Sequence, residues 1–374
     1  MSTVRANAIL DASGGNTATI NSMTPTADSL QGFRNRIING DMRIDQRNAG
    51  ASVTPTANTY TLDRWDARLS QASKYSVQQS STAPTGFRNS LLVTSLSAYT
   101  VGSSETFFVK QVIEGFNIAD LMWGTANAQT VTLSFQVRSS LTGTFGGSLW
   151  NSDGSRSYPF TYTISSANTY ETKTVTIAGD TSGTWLTTNG GGINVGFGLG
   201  VGSSLSGTAG AWAGAFYPSA TGATSVVGTN GATFYITGVQ LEKGSVATPF
   251  ERRDYGRELL LCYRYFQKLN SPTAYGYPGN AYFSATSATN AYGTLVFIIP
   301  MRAAPTLSAT GNLRLVDQTQ GSPTLTALTG DAGRTSTYST EVQATAPSGL
   351  TQYRIYWLHN NNDTTASVNL AAEL

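Results

Sequence analysis

Strict alternation of apolar and polar residues most constrains how this chain can fold. In residues 131–138, Val131, Leu133, Phe135 and Val137 alternate with polar side chains that carry almost no charge. Successive side chains of a β-strand point to opposite faces, so the pattern predicts a strand with one buried and one polar face. Similar signals predict strands at Ser73–Gln78, Leu91–Leu96, Glu105–Ile113, Thr130–Arg138, Tyr158–Ile164, Glu171–Ile177, Asn194–Leu199 and Thr233–Leu241. Turn residues separate these segments, which favours a double-sheet jelly-roll sandwich.

The composition supports an all-β chain and excludes several classes of protein. Charged residues make up 12% of the 374 residues, about half the usual share, whereas aromatic residues make up 10%. Disordered chains are normally charge-rich and aromatic-poor. The net charge of +2 gives no field for nucleic acid, and the single cysteine, Cys262, excludes an internal disulfide framework. No secretory signal or membrane-spanning apolar run is evident, so we expect no membrane insertion.

The glycine-rich stretch 189–204 has two readings. Its glycines invite comparison with a phosphate-binding loop, but no Walker lysine or helical pattern follows. Apolar residues alternate with the glycines at Val195, Phe197, Leu199 and Val201. The favoured reading is a strand whose glycine face is closely covered by other residues.

Two segments about 200 residues apart look like the first and last strands of one sandwich. They are Asn35-Arg-Ile-Ile-Asn-Gly-Asp-Met-Arg-Ile-Asp-Gln-Arg47 and Phe234-Tyr-Ile-Thr-Gly-Val-Gln-Leu-Glu-Lys-Gly-Ser-Val-Ala-Thr-Pro-Phe-Glu251. Their sequences resemble a domain of bacteriophage tail-fibre and related virion proteins, which is similar to the jelly rolls of carbohydrate-binding modules. The resemblance covers roughly residues 5–306. It implies a virion fibre protein, commonly a homotrimer.

The chain is accordingly predicted to have four parts. Residues 1–34 form an N-terminal segment for oligomerisation and attachment to other virion proteins, and residues 35–253 form the jelly roll. Residues 254–267 form a linking helix, because Tyr255, Leu259, Cys262 and Phe266 recur at helical spacing. This helix packs either on its own domain or around a threefold axis. Residues 268–374 form a smaller C-terminal β-sandwich at the tip.

Few residues are suited to catalysis. The single histidine, His359, lies in a turn-rich Asn run, where we expect an exposed loop. The only serious catalytic option is a carboxylate pair for glycoside cleavage. Candidate pairs are Asp63/Asp66, Glu114/Asp120 and Glu251/Asp254. Nothing distinguishes them from turn caps and surface ion pairs, so we expect no enzyme.

The resemblance also raises the question of a metal ion. Carbohydrate-binding jelly rolls often hold a structural calcium where their first and last strands meet. Asp41, in Asn39-Gly-Asp41, and Glu242, at the closing strand, are the corresponding calcium candidates. No cofactor is otherwise expected. Asp41 as a turn residue without metal is the favoured alternative.

Sugar binding would use aromatic side chains, because the C–H face of a pyranose stacks on Trp and Tyr. The candidates are Tyr275, Tyr277, Tyr282, Trp150 and Trp212. Gly276, Pro278 and Gly279 interrupt any strand through the tyrosine cluster, which makes it the least core-like of these sites.

The sequence therefore predicts a non-enzymatic adhesin in a virion fibre, assembled in the host cytoplasm, that binds host cell-surface polysaccharide. Two alternatives come from other classes. One is a purely structural or decoration virion protein without a ligand of its own. The other is a polysaccharide depolymerase that uses a carboxylate pair.

Overall fold

The computed structural model describes residues 33–279, 281–317 and 323–374. All but the last two residues of the predicted N-terminal segment 1–34 lie outside this part. The described chain is all-β with one short α-helix, as predicted. None of its helices is long and apolar enough to cross a bilayer.

Residues 59–243 build a jelly-roll sandwich. Its strands are β1 Thr59–Leu62, β2 Trp65–Leu69, β3 Tyr75–Ser80, β4 Ser90–Ser95, β5 Thr106–Glu114, β6 Val131–Ser139, β7 Gly143–Trp150, β8 Ser157–Ile164, β9 Glu171–Ile177, β10 Gly191–Val201, β11 Ser206–Gly207, β12 Ser219–Ala220 and β13 Thr233–Lys243. One sheet has the order β1-β2-β5-β10-β7-β8 and the other β3-β4-β13-β6-β9. Both are antiparallel, and β11 and β12 form a small parallel pair. Short 3-10 turns cover Gly115–Asn117, Ala119–Leu121 and Ser203–Leu205.

The alternating residues of β6 explain how the sandwich closes. Val131, Leu133, Phe135 and Val137 are all buried in the core between the two sheets. The opposite side of β6, with Arg138 among its residues, stays partly exposed. The apolar residues of β6 therefore face the core and its polar residues face outward, as the sequence predicts.

The glycine-rich stretch forms β10, which confirms the strand reading. Val195, Phe197 and Leu199 point into the core. On the other side a Cβ at Gly196 would lie 2.6 Å from the Trp150 ring. Glycine is needed there because the covering side chain approaches the backbone directly.

A second sandwich follows the helix α1, Tyr255–Tyr263. Its strands are β14 Phe266–Asn270, β15 Ala281–Ala285, β16 Asn290–Val296, β17 Thr306–Thr310, β18 Leu313–Val316, β19 Ala327–Thr335, β20 Ser339–Thr345, β21 Ile355–Asn360 and β22 Ser367–Ala371. A three-stranded sheet β14-β22-β17 packs on a six-stranded sheet β18-β21-β15-β16-β20-β19. The apolar residues between them form a core separate from that of the jelly roll.

The helix is shorter than the predicted 254–267. Asp254 caps it by accepting a hydrogen bond from the Arg257 amide, 2.9 Å away. Phe266 is not helical because it starts β14, where it pairs with Ala371 of β22. Cys262 is buried, whereas Tyr255 is exposed, so only part of the predicted apolar stripe faces the protein.

The helix packs on its own chain. Cys262 and Tyr265 form a small cluster with Ile38 and Ile44, and Leu374 packs against this cluster. Ion pairs surround it: Arg264 to Glu114 at 2.6 Å, and Arg47 to Glu373 at 2.8 Å. Polar contacts therefore join the opening segment, the helix and the last residues of the second sandwich.

Candidate functional site

The solvent-facing side of the C-terminal six-stranded sheet carries several aromatic residues. In β15 the inward residue Phe283 is buried in the core, whereas Tyr282 on its other side is 58% exposed. Tyr282 lies directly opposite Trp357 of β21, and their ring centroids are 6.2 Å apart. Tyr292 of β16 is also exposed on this side. Outward rings on neighbouring strands thus form an open surface.

Two further tyrosines extend this surface from the loop before β15. Tyr277 meets the ring of His359 edge-on at 4.9 Å, and Tyr275 stacks on the same ring at 6.2 Å. The guanidinium of Arg314 lies 4.9 Å from the centroid of Tyr275. We call Tyr275, Tyr277, Tyr282, Tyr292 and Trp357 the aromatic face.

Hydrogen bonds hold the tyrosine loop on the sheet. The Asn360 amide donates to the carbonyl of Gly276 at 2.9 Å, and its side-chain nitrogen donates to the carbonyl of Ser271 at 3.2 Å. A Cβ at Gly276 would lie 1.9 Å from the Ser271 hydroxyl oxygen, so only glycine fits this turn. The rings of Tyr275 and Tyr277 are therefore positioned before any ligand arrives.

His359 lies under these two rings. It is buried in β21, which corrects the expectation of an exposed loop histidine; backbone pairing of Arg314 with His359 extends the strand through the Asn run. Its Nδ1–H donates to the Asn360 carbonyl oxygen at 2.8 Å. Burial, with a smaller contribution from Arg314, lowers the pKa of His359 below its usual value.

Other charges near the aromatic face are paired. Arg334 binds Glu341 at 2.6 Å, and Arg354 binds Asp317 at 2.6 Å. An aromatic surface bordered by paired charges suits a neutral ligand, because rings supply contact area without requiring an opposite charge. Sugar rings with apolar C–H faces and many hydroxyl groups have this chemistry.

The two predicted tryptophans lie in the jelly roll, apart from the tyrosines. Trp150 is 4% exposed, and its ring is covered edge-on by Phe108 and Phe216. It is the last residue of β7, so it does not present a ring from a loop. Trp212 is half-buried among other indoles, with its Nε1 donating to the Ala178 carbonyl at 2.8 Å. Neither presents the open ring face that the prediction requires.

The calcium candidates are engaged by protein groups. Asp41 pairs with Arg43 at 2.5 Å, and burial raises the pKa of its carboxyl group. Glu242 accepts hydrogen bonds from the Thr248 amide, the Thr248 hydroxyl and the Gln240 side chain at 2.6–2.9 Å. In the described residues no three His, Cys, Asp or Glu side chains are grouped to hold a metal ion.

The carboxylate pairs considered for catalysis have structural contacts. Asp63 accepts from both nitrogens of Gln46, Asp66 pairs with Arg68, and Asp120 pairs with Arg36. Glu114 binds Arg264, and Glu251 accepts from the amides of residues 34 and 35. Asp254 is the helix cap described above. Each of these acids therefore has a contact within the fold.

Sequence reasoning grouped Tyr275, Tyr277 and Tyr282 but missed the neighbours that complete the face. Trp357 and His359 occupy alternate positions of β21, and Tyr292 lies on β16 beside Tyr282. The alternation in Ile355–Asn360 was the available signal. The asparagines that follow are typical of a turn, which obscured that the strand continues through His359.

Comparisons with known proteins do not name a family. No protein-family model and no curated protein matches the sequence. Similar solved structures include the enzymatically active domain of tailspike protein 4 of bacteriophage CBA120, with 11% identity and a TM-score of 0.30, covering 57% of this chain and 22% of that chain. The family 11 carbohydrate-binding module from Clostridium thermocellum has 10% identity and a TM-score of 0.29, covering 54% and 100% of the two chains. The CBM22-1 xylan-binding domain from Paenibacillus barcinonensis Xyn10C has 10% identity and a TM-score of 0.24, covering 54% and 99%. TM-scores this low carry neither a fold nor a ligand over to this chain.

Proposed function

We propose that the protein is a non-catalytic adhesin that binds host cell-surface glycan through the aromatic face of its C-terminal sandwich. The observation that carries this proposal is the placement of exposed Tyr275, Tyr277 and Tyr282 beside Trp357 on one open sheet surface. A contiguous patch of exposed rings is typical of an interaction surface, and aromatic rings match the C–H faces of sugars.

The proposal includes a place in a bacteriophage virion. Its support is the resemblance of residues 35–47 and 234–266 to fibre proteins. On this proposal the protein is a homotrimer assembled in the host cytoplasm, the segment 1–34 attaches to other virion proteins, and the C-terminal sandwich is the exposed tip. Several weak glycan contacts on one fibre would then act together through avidity.

A glycan microarray tests the ligand class. The full chain is compared with the double variant Tyr277→Ala/Tyr282→Ala and with Tyr255→Ala. Tyr255 is a matched control, because it is 56% exposed against 58% for Tyr277 but lies on the helix. A stacked ring contributes about 1 kcal/mol, so the double variant should lose about 2 kcal/mol, which is roughly thirtyfold in affinity. Tyr255→Ala should bind like the parent protein.

Three results would overturn the proposal. Absence of binding to any glycan would favour a structural or decoration protein. Release of oligosaccharides from a bound polysaccharide would identify a depolymerase. Equal losses in the double variant and in Tyr255→Ala would show that the aromatic face is not the binding surface. Light scattering of the full chain tests the trimer separately, and the mass of a single chain would contradict it.

A further inference from the structure

The solvent-facing side of the jelly roll's five-stranded sheet carries arginines stacked on aromatic rings. Tyr235 of β13 lies directly opposite Arg138 of β6, and the Arg138 guanidinium is 4.9 Å from the Tyr235 ring centroid. Tyr170, just before β9, lies 5.9 Å from the same guanidinium and meets Tyr235 at 6.3 Å. The Arg138 guanidinium therefore lies next to two rings that also contact each other.

A second stack lies a short distance along the same side. Phe87 and Phe250 meet edge-on at 5.3 Å, and the Arg252 guanidinium is 4.7 Å from the Phe87 ring centroid. Phe87 lies on Gly238 of β13, where φ is +61° and a Cβ would come within 2.8 Å of the phenyl ring. Gly238 lies where the pairing register of β13 and β6 shifts, and the same Cβ would come within 3.4 Å of Gln136, which is on the same side of β6 as Arg138. The two stacks therefore lie on one side of the sheet. We call Arg138, Tyr170, Tyr235, Phe87, Phe250 and Arg252 the Arg–aromatic face.

The two arginines lack a carboxylate partner within the described ranges. The contacts of Arg138 are with rings, and its Nε has no hydrogen-bond partner although it is shielded from water. Arg252 contacts the rings of Phe87 and Phe250. Asp41 interacts electrostatically with Arg252, but its ion pair is with Arg43. Only 12% of the residues are charged, yet two guanidinium groups without a carboxylate partner in the described ranges lie on this one face.

Neighbouring charges do not neutralise the surface. Glu171, on the strand beside Arg138, pairs with Lys173 at 2.5 Å and accepts from the amides of Ser165 and Ser166. The nearby acid is therefore already engaged, and the Arg–aromatic face keeps its positive charge. A planar guanidinium donates two parallel hydrogen bonds to a carboxylate or phosphate group.

We propose that the Arg–aromatic face binds an acidic polysaccharide whose acidic groups pair with Arg138 and Arg252, while the rings of Tyr235 and Phe87 hold the two guanidinium groups in place. The acidic group is a carboxylate or a phosphate. This site is separate from the aromatic face and takes a ligand of different charge.

Affinity electrophoresis of the folded full chain tests the proposal. Polygalacturonate supplies carboxylates, phosphomannan supplies phosphates, and dextran is the neutral control polymer. Retardation by at least one acidic polymer is expected, stronger than by dextran. Arg138→Gln and Arg252→Gln should each weaken it roughly fivefold, because a charge-assisted hydrogen bond is lost.

Arg334→Gln is the matched control, since this arginine is exposed but already paired with Glu341. It should migrate like the parent protein. Because Arg252 is exposed, its variant tests the site even if Arg138→Gln folds poorly.

Several results would overturn the inference. They are absence of retardation by both acidic polymers, unchanged retardation of Arg252→Gln, and equal loss in Arg334→Gln. Equally strong retention of a double-stranded DNA oligonucleotide would assign the surface to nucleic acid instead. None of these outcomes bears on neutral glycan binding by the aromatic face, so the two proposals fail separately.

Discussion

Two open sheet faces of this molecule follow the same alternating pattern but differ in their charges. On the aromatic face the ring of Tyr282 is exposed beside Trp357, and the neighbouring Arg334 and Arg354 are paired with acids. On the Arg–aromatic face, Arg138 lies next to two rings without an acid partner among the described residues. The acid partners of Arg334 and Arg354 therefore favour a neutral ligand on the aromatic face, whereas Arg138 and Arg252 favour an acidic ligand on the Arg–aromatic face.

The strongest contrast is expected between the two sides of one strand. Phe283 is buried in the C-terminal core, whereas its neighbour Tyr282 faces solvent. Phe283→Ala should lower the free energy of unfolding by about 3–5 kcal/mol through cavity formation. Tyr282→Ala should cost less than about 1 kcal/mol and yet reduce glycan binding. Thermal unfolding with a binding assay checks both, and similar stability losses would contradict the assignment of the two sides.

Gly276→Ala should disturb the aromatic face without unfolding the sheet. The added Cβ would come 1.9 Å from the Ser271 hydroxyl oxygen and 2.7 Å from the Ser271 Cβ, so the loop carrying Tyr275 and Tyr277 must shift. Loss of two ring contacts at about 1 kcal/mol each predicts a roughly thirtyfold weaker affinity for neutral glycan, measured by titration calorimetry. Gly214→Ala is the control because a Cβ at Gly214 would have no atom within 4 Å. Unchanged affinity in Gly276→Ala would show that the loop does not hold the binding rings.

Acid should weaken neutral glycan binding through His359. Burial lowers the pKa of this histidine, so the folded protein binds fewer protons than the unfolded chain in the window below the ordinary pKa of about 6.5. Stability therefore falls as the pH falls through this window, because protonation adds a cation beside Arg314. We expect a reversible, several-fold loss of affinity between pH 7 and pH 5. His359→Gln should flatten this profile, and an unchanged profile would exclude His359 as its cause.

Salt should change binding by the aromatic face very little. Screening weakens contacts between exposed charges but not ring stacking on a neutral sugar. Raising the salt concentration from about 0.05 to 0.5 M should change neutral glycan affinity less than about twofold, while acidic polymer binding falls several-fold. Affinity electrophoresis at both salt concentrations measures the difference. Equal salt dependence on both polymers would remove the distinction between the faces.

Much of the fold could be predicted because alternation is a local signal. The residues of β6 and the glycine-rich β10 were assigned to the correct faces from periodicity alone. The end of the helix was predicted wrongly, because Phe266 does not continue the helix but pairs with β22, about 100 residues away. Long-range pairing of this kind overrides helical spacing.

The candidate site was predictable only in part. Gly276, Pro278 and Gly279 correctly indicated a loop that holds Tyr275 and Tyr277 outside any strand. Trp150 could not be judged, since its cover by Phe216 depends on a segment more than sixty residues further along the chain. His359 was assigned to a turn because the sequence does not reveal its pairing with Arg314.

Footprinting of tyrosine side chains is the sharpest test of glycan binding by the aromatic face. Hydroxyl-radical labelling with mass spectrometry would be applied to the full chain with and without the neutral glycan bound most tightly on the microarray. We expect protection of Tyr275, Tyr277 and Tyr282, with Tyr255 labelled equally in both samples. Unchanged labelling of the three tyrosines while the glycan is bound would contradict binding by the aromatic face.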